Sequence, residues 1–249
     1  MPTPLCGLAL GIASLGFGLE NALPLHTFGQ NAAALVALAL LLCIFLKFLF
    51  NPGLFRKEMA HPVLGSIRPT LAMTLMLISS VAGAWHRSAG EALWLFAVAL
   101  HLTLMAAFMC CRLRSMSLAQ MVPSWFVPFV GIILAAVTVP GPEYHRLAHT
   151  LMLFGMTNYA IMLPLMVYRL VFSGEVADAA KPTIAVLAAP ASLSLVGYLN
   201  LSPQPSVLFC GALLGLALLM TTVTYPAFFK LLRLPFSPAS PPYTFPMAV

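Results

Sequence analysis

A chain of 249 residues that is 61% hydrophobic and only 7% charged cannot clothe a water-soluble fold, because soluble domains carry roughly 25% charged residues. The net charge of +6 does not point to nucleic acid, since Lys and Arg stand singly between apolar runs and form no patch. Cys6, Cys43, Cys110, Cys111 and Cys210 include no CxxC pair and no even framework, so they indicate neither a zinc site nor a disulfide scaffold.

Apolar runs of the length that crosses a hydrocarbon core, about 20 residues, follow one another along the chain. The first covers about 2 to 19, and its start, MPTPLCGLALGIASLGFG, lacks the basic region of a cleaved signal, so it reads as a retained helix. Further spans are expected near 29 to 50, 63 to 84, 90 to 109, 120 to 139, 146 to 171, 181 to 199 and 205 to 228. A ninth begins near 241 and stops at Val249. The pattern predicts an all-α, polytopic membrane protein with one transmembrane domain over residues 1 to 249.

The connections after the even-numbered spans hold or adjoin Lys47, Arg56, Lys57, Arg112, Arg114, Arg169, Lys181, Lys230 and Arg233, against Arg87 and Arg146 on the opposite side. That bias places the first set, and the N-terminus, in the cytoplasm. Pro69, Pro128, Pro190 and Pro246 each fall in an odd-numbered span, at separations of 59, 62 and 56 residues, about one helical hairpin. The recurrence suggests that the hairpins are repeats. A proline in a spanning helix frees a carbonyl, which is tolerable where neighbouring helices or a polar cavity satisfy it. The odd spans are therefore expected to surround a shared axis, although Pro164 and Pro226 fall in even spans. Gly7 with Gly11, and Gly211 with Gly215, have GxxxG spacing, read as close packing within the chain in preference to a dimer interface.

Glu20, Glu58, Glu91, Glu143, Glu175 and Asp178 all lie at span ends or in connections. No buried carboxylate is then expected to serve as proton relay, sodium site or general base. His145 and His149 share a helix face, but no third ligand lies nearby, so no metal is expected. His101, deep in the fourth span, reads as a neutral imidazole bonded to a neighbouring helix, or else as a proton-sensitive switch. Cys110 and Cys111 read as packing residues, or else as palmitoylation sites. Arg68, immediately before Pro69, has two open readings: positive potential for an anion arriving from the cytoplasm, or a side chain snorkelling beside Arg56 and Lys57. Side chains expected along a route through the odd spans are Ser66, Thr70, Thr74, Ser124, Phe129, Thr183, Ser192, Thr244 and Phe245. Such hydroxyls solvate an anion weakly without trapping it.

The stretches HPVLGSIRPTLAMTLMLISS (His61 to Ser80) and PFSPASPPYTFPMAV (Pro235 to Val249), and above all YTFPM at Tyr243 to Met247, resemble the family that joins bacterial tellurite-resistance protein TehA, fungal malic acid permeases and plant guard-cell slow anion channels. The chain is also similar to bacterial members described as C4-dicarboxylate transporters. The resemblance implies ten helices in five tandem hairpins, with odd helices around a central pore, even helices outside, and a homotrimer in which each subunit carries its own pore. It implies that Phe245 plugs the pore. Against that pattern the chain reads as truncated within the ninth helix.

The function expected is conduction of small inorganic or organic anions, without a cofactor, by a multi-pass protein of the inner or plasma membrane. A carrier of malate or another C4-dicarboxylate, or a tellurite or sulfite efflux protein, is the alternative within the family. A membrane-embedded enzyme or assembly partner is the alternative of another class.

Overall fold

The computed structural model describes residues 3–113, 117–231 and 244–248. Arg114 and Arg233, used above for orientation, and Tyr243 of the YTFPM motif lie outside the described residues. The spans fall close to their expected places: Leu5–Ala22, Phe28–Phe50, Pro62–Trp85, Arg87–Leu113, Pro123–Val137, His145–Phe172, Lys181–Leu201 and Val207–Leu231, with Phe245–Ala248 as the start of a ninth. Seven of these are long and apolar enough to cross a membrane.

The fifth span departs from expectation. It is a short, broken rod in which 3-10 turns at Pro123–Trp125 and Gly131–Ile133 alternate with α-helix at Phe126–Val130 and Leu134–Val137. Fifteen residues of plain α-helix would reach only about 22 Å, and the 3-10 turns lengthen the rod at about 2.0 Å per residue. Residues 121 to 136 are buried without interruption, as a helix apolar on all sides requires.

Odd spans lie inside and even spans outside. In the most apolar stretch of each long helix, 44% to 61% of residues are buried for the first, third and seventh spans, against 22% to 33% for the second, fourth, sixth and eighth. The first span packs on the third, the third on the fifth, the fifth on the seventh, the seventh on Phe245–Ala248, and that helix back on the first. The odd spans thus close a ring. Because the chain reverses direction within each hairpin, the five odd staves are parallel, and their N-termini share the cation-rich face.

Three of the four repeated prolines open an α-helical segment of an inner stave. Pro69 is the first residue of Pro69–Trp85, Pro190 the second of Ala189–Leu201 after a 3-10 stretch, and Pro246 the second of Phe245–Ala248; Pro128 lies within Phe126–Val130. A first-turn proline is cheap because its missing N–H had no intrahelical partner to lose. Pro164 and Pro226, by contrast, stand inside the long outer helices.

The two GxxxG pairs behave differently. A Cβ at Gly11 would fall 2.4 Å from Thr244 Oγ1, so the small residue lets the ninth stave approach the first. At Gly211 and Gly215 a Cβ would meet nothing within 4 Å, which overturns the reading of this second pair as internal packing. Cys110 and Cys111 are likewise exposed, not packed.

In the third–fourth hairpin two backbones pack closely, since a Cβ on Gly90 would lie 2.4 Å from Gly83 Cα and 2.7 Å from Gly83 N. Backbone cannot rotate aside as a side chain can. Gly90→Ala should therefore destabilise the protein by about 2 kcal/mol, lowering its thermal midpoint in detergent, while Gly211→Ala should leave the midpoint unchanged.

Candidate functional site

The expected route residues gather at the N-terminal halves of the inner staves. Ser66, Thr70, Thr74, Ser124 and Thr183 are all buried, and Ser192 is half-buried. Ser66 Oγ meets Ser124 Oγ at 2.7 Å, tying the third stave to the fifth. Ser66 also donates to Val63 O at 2.9 Å, so Ser124 is the donor of the inter-stave bond. Thr70 donates to Ile67 O, Thr74 to Thr70 O and Thr183 to Ala180 O, all between 2.6 and 2.7 Å. Thr244 Oγ1 donates to Gly7 O at 3.3 Å. Phe245 follows it, buried on the helix that closes the ring between the first and seventh spans. Phe129 meets Phe108 with ring centroids 6.4 Å apart and lines a crevice between the fourth and sixth spans, on the outer side of the fifth.

Arg68 is only 3% exposed, so it does not snorkel. Its Nη2 lies 3.1 Å from Glu58 Oε2 and its Nη1 donates to Phe55 O at 2.8 Å, while the Phe55 and Phe48 ring centroids stand 4.2 and 4.8 Å from its Cζ. Lys47 Nζ meets Glu58 Oε1 at 2.9 Å and Thr3 Oγ1 at 2.7 Å, and Thr3 also donates to Glu58. Glu58 lies in a connection, as expected, on the short helix Pro52–Met59. Its side chain nonetheless turns inward to join two cations. Two cations and one carboxylate leave a single positive charge at the cation-rich end of the ring. At the other face Arg87 pairs with Glu91 and Glu143.

His101 is fully buried, and its Nε2 meets Pro128 O at 3.0 Å, which gives it the bond to a neighbouring stave that its depth calls for. His145 and His149 are exposed at the start of the sixth span. The Glu58 cluster and its aromatic clamp were not read from the sequence. The amphipathic segment PGLFRKEM beside an arginine in an apolar span was the only signal for it.

Parallel broken staves closed into a ring and jacketed by apolar helices define a polytopic, all-α membrane protein. Residues 4–249 match the family model described as voltage-dependent anion channel, and the chain belongs to that family. It is also similar to two proteins of Methanocaldococcus jannaschii. The uncharacterized transporter MJ0762 is 25% identical over 229 residues, covering 82% of this chain and 67% of its own length. The uncharacterized transporter MJ0576 is 25% identical over 215 residues, covering 76% of this chain and 62% of its own length.

Glu58 supplies a pH test. Desolvation raises its pKa, but hydrogen bonds from Thr3, Lys47 and Arg68 outweigh it and hold the carboxyl below its ordinary value. A depressed folded pKa means that the stabilisation is complete above the unfolded value of about 4.3 and is lost as pH falls through the folded one. Glu58→Ala, which leaves Arg68 buried and unpaired, should cost about 3 kcal/mol at neutral pH. The acid limb of thermal midpoint against pH should flatten in the same variant.

Proposed function

We propose that the ring of odd spans encloses a route for small inorganic or organic anions and that Phe245 closes it. The observation that carries this reading is the position of Phe245. It is a buried ring at the start of the stave that completes the circle, beside the threonine that ties that stave to the first span. An aromatic side chain at a constriction excludes water, so an ion passes only when the ring turns aside.

The surroundings suit weak, fast passage. Ser66, Thr70, Thr74 and Thr183 spend their protons on carbonyls of their own staves. To donate to an anion each must give up a bond worth about 1 kcal/mol net, so an ion is met without being held. The parallel N-termini carry positive partial charge, and the cluster of Lys47, Glu58 and Arg68 adds one positive charge at the same end. The breaks at Pro69, Pro128, Pro190 and Pro246 shape the staves around the route. In this reading the cation-rich face and the N-terminus are cytoplasmic, the membrane is the plasma membrane, and three copies assemble with one route each.

Removing the plug gives the test. In protein reconstituted in liposomes, Phe245→Ala should raise anion flux about tenfold, the effect of lowering the barrier by about 1.4 kcal/mol. Phe245→Leu, which still fills the constriction, should raise it less. Flux of correctly inserted Phe245→Ala that equals the unsubstituted protein's would refute the gate.

A further inference from the structure

Outside the ring, toward the cation-rich face, a crevice of about 300 Å³ opens between the fourth and sixth spans with the fifth as its floor. Phe108 and Arg112 of the fourth span, Trp125 and Phe129 of the fifth, and Ile161 and Leu165 of the sixth line it. The crevice faces the membrane, since Ile161 is 57% and Leu165 46% exposed. Its floor is rigid and aromatic: Phe108 stands edge-on to Trp125, with centroids 5.4 Å apart, and to Phe129.

Two lining side chains are unusual for so apolar a place. Arg112 is only 7% exposed and donates to Ala60 O, yet among the described residues its buried Nε has no hydrogen-bond partner. Among the described residues no carboxylate pairs with it. Trp125 is 4% exposed, and its buried Nε1 also has no partner among the described residues. A buried donor left unpaired costs about 1 to 3 kcal/mol, and an unpaired buried cation costs more. Both orphaned atoms are donors, one belongs to a cation, and both residues border a slot of apolar side chains open to lipid. The complement of that arrangement is a molecule with an anionic, acceptor-rich head and an apolar tail.

We infer that the crevice is a binding site for an anionic phospholipid, with an acyl chain between the fourth and sixth spans and the phosphate accepting from Arg112 and Trp125. Basic pockets between spanning helices at the cation-rich face take lipid head groups of this kind. The site lies outside the ring, so it stands whether or not the ring conducts anions. Because it abuts the floor formed by the fifth stave, its occupant braces the stave whose inner side carries Ser124.

Native mass spectrometry of the detergent-purified protein tests this, with phosphatidylglycerol and phosphatidylcholine of identical acyl chains as probes. The unsubstituted protein should retain phosphatidylglycerol about fivefold more than phosphatidylcholine, the effect of one basic residue near an anionic head. Arg112→Gln should erase that preference, and Trp125→Phe, which removes the N–H together with part of the ring, should reduce it. Ile161→Trp, at an exposed position that does not endanger folding, should fill the slot and displace both lipids. Equal retention of the two lipids by the unsubstituted protein overturns the inference. So does undiminished phosphatidylglycerol binding in Ile161→Trp.

Discussion

The constraint on which this architecture depends is that a backbone polar group inside a membrane must find a partner within the protein. A proline in a spanning helix removes one donor and leaves the carbonyl four residues back without its usual bond. The chain places Pro69, Pro190 and Pro246 at the first or second position of a new α-helical segment, where the lost donor would have been idle. Pro128 lies within the short helix Phe126–Val130, and its own carbonyl is met by His101 of the neighbouring helix. Broken helices of this kind survive only when surrounded by protein, and the fifth stave, the most broken, is the one buried from end to end.

The ring follows from that requirement. The most broken stave takes the inside, and the long continuous helices take the lipid-facing positions, carrying exposed Leu, Phe and Val that would be a liability in water. Parallel staves also gather five helix N-termini on one face, where the cations already lie. Charge and backbone dipoles therefore act in the same direction, while Glu58, which turns inward at that end, is committed to ion pairs.

The cluster of Thr3, Lys47, Glu58 and Arg68 shows how this end tolerates a charge at depth. Arg68 is planar, and Phe48 and Phe55 cover it while Glu58 and a backbone carbonyl accept from its edge. The short helix Pro52–Met59 is thereby fastened to the third stave. The loop between the second and third spans becomes part of the mouth of the ring instead of a free connection.

Much of this was legible in the residues alone. Apolar run lengths located the spans because hydrocarbon thickness fixes how many residues a helix needs. The recurrence of proline at hairpin spacing in the odd spans pointed to the inner staves, although Pro164 and Pro226 stand in outer helices. His101 announced a partner, since an unpaired imidazole at depth is costly. Other features depend on distances between segments remote in sequence, which no periodicity encodes. Ser124 meeting Ser66, Glu58 turning back onto Arg68, Phe129 facing the outer crevice, and Gly211 and Gly215 left uncovered while Gly11 seats the ninth stave were decided by the packing of one helix on another. Short-range pattern fixes which face of a helix is apolar, but only the assembled fold selects which apolar face meets protein and which meets lipid.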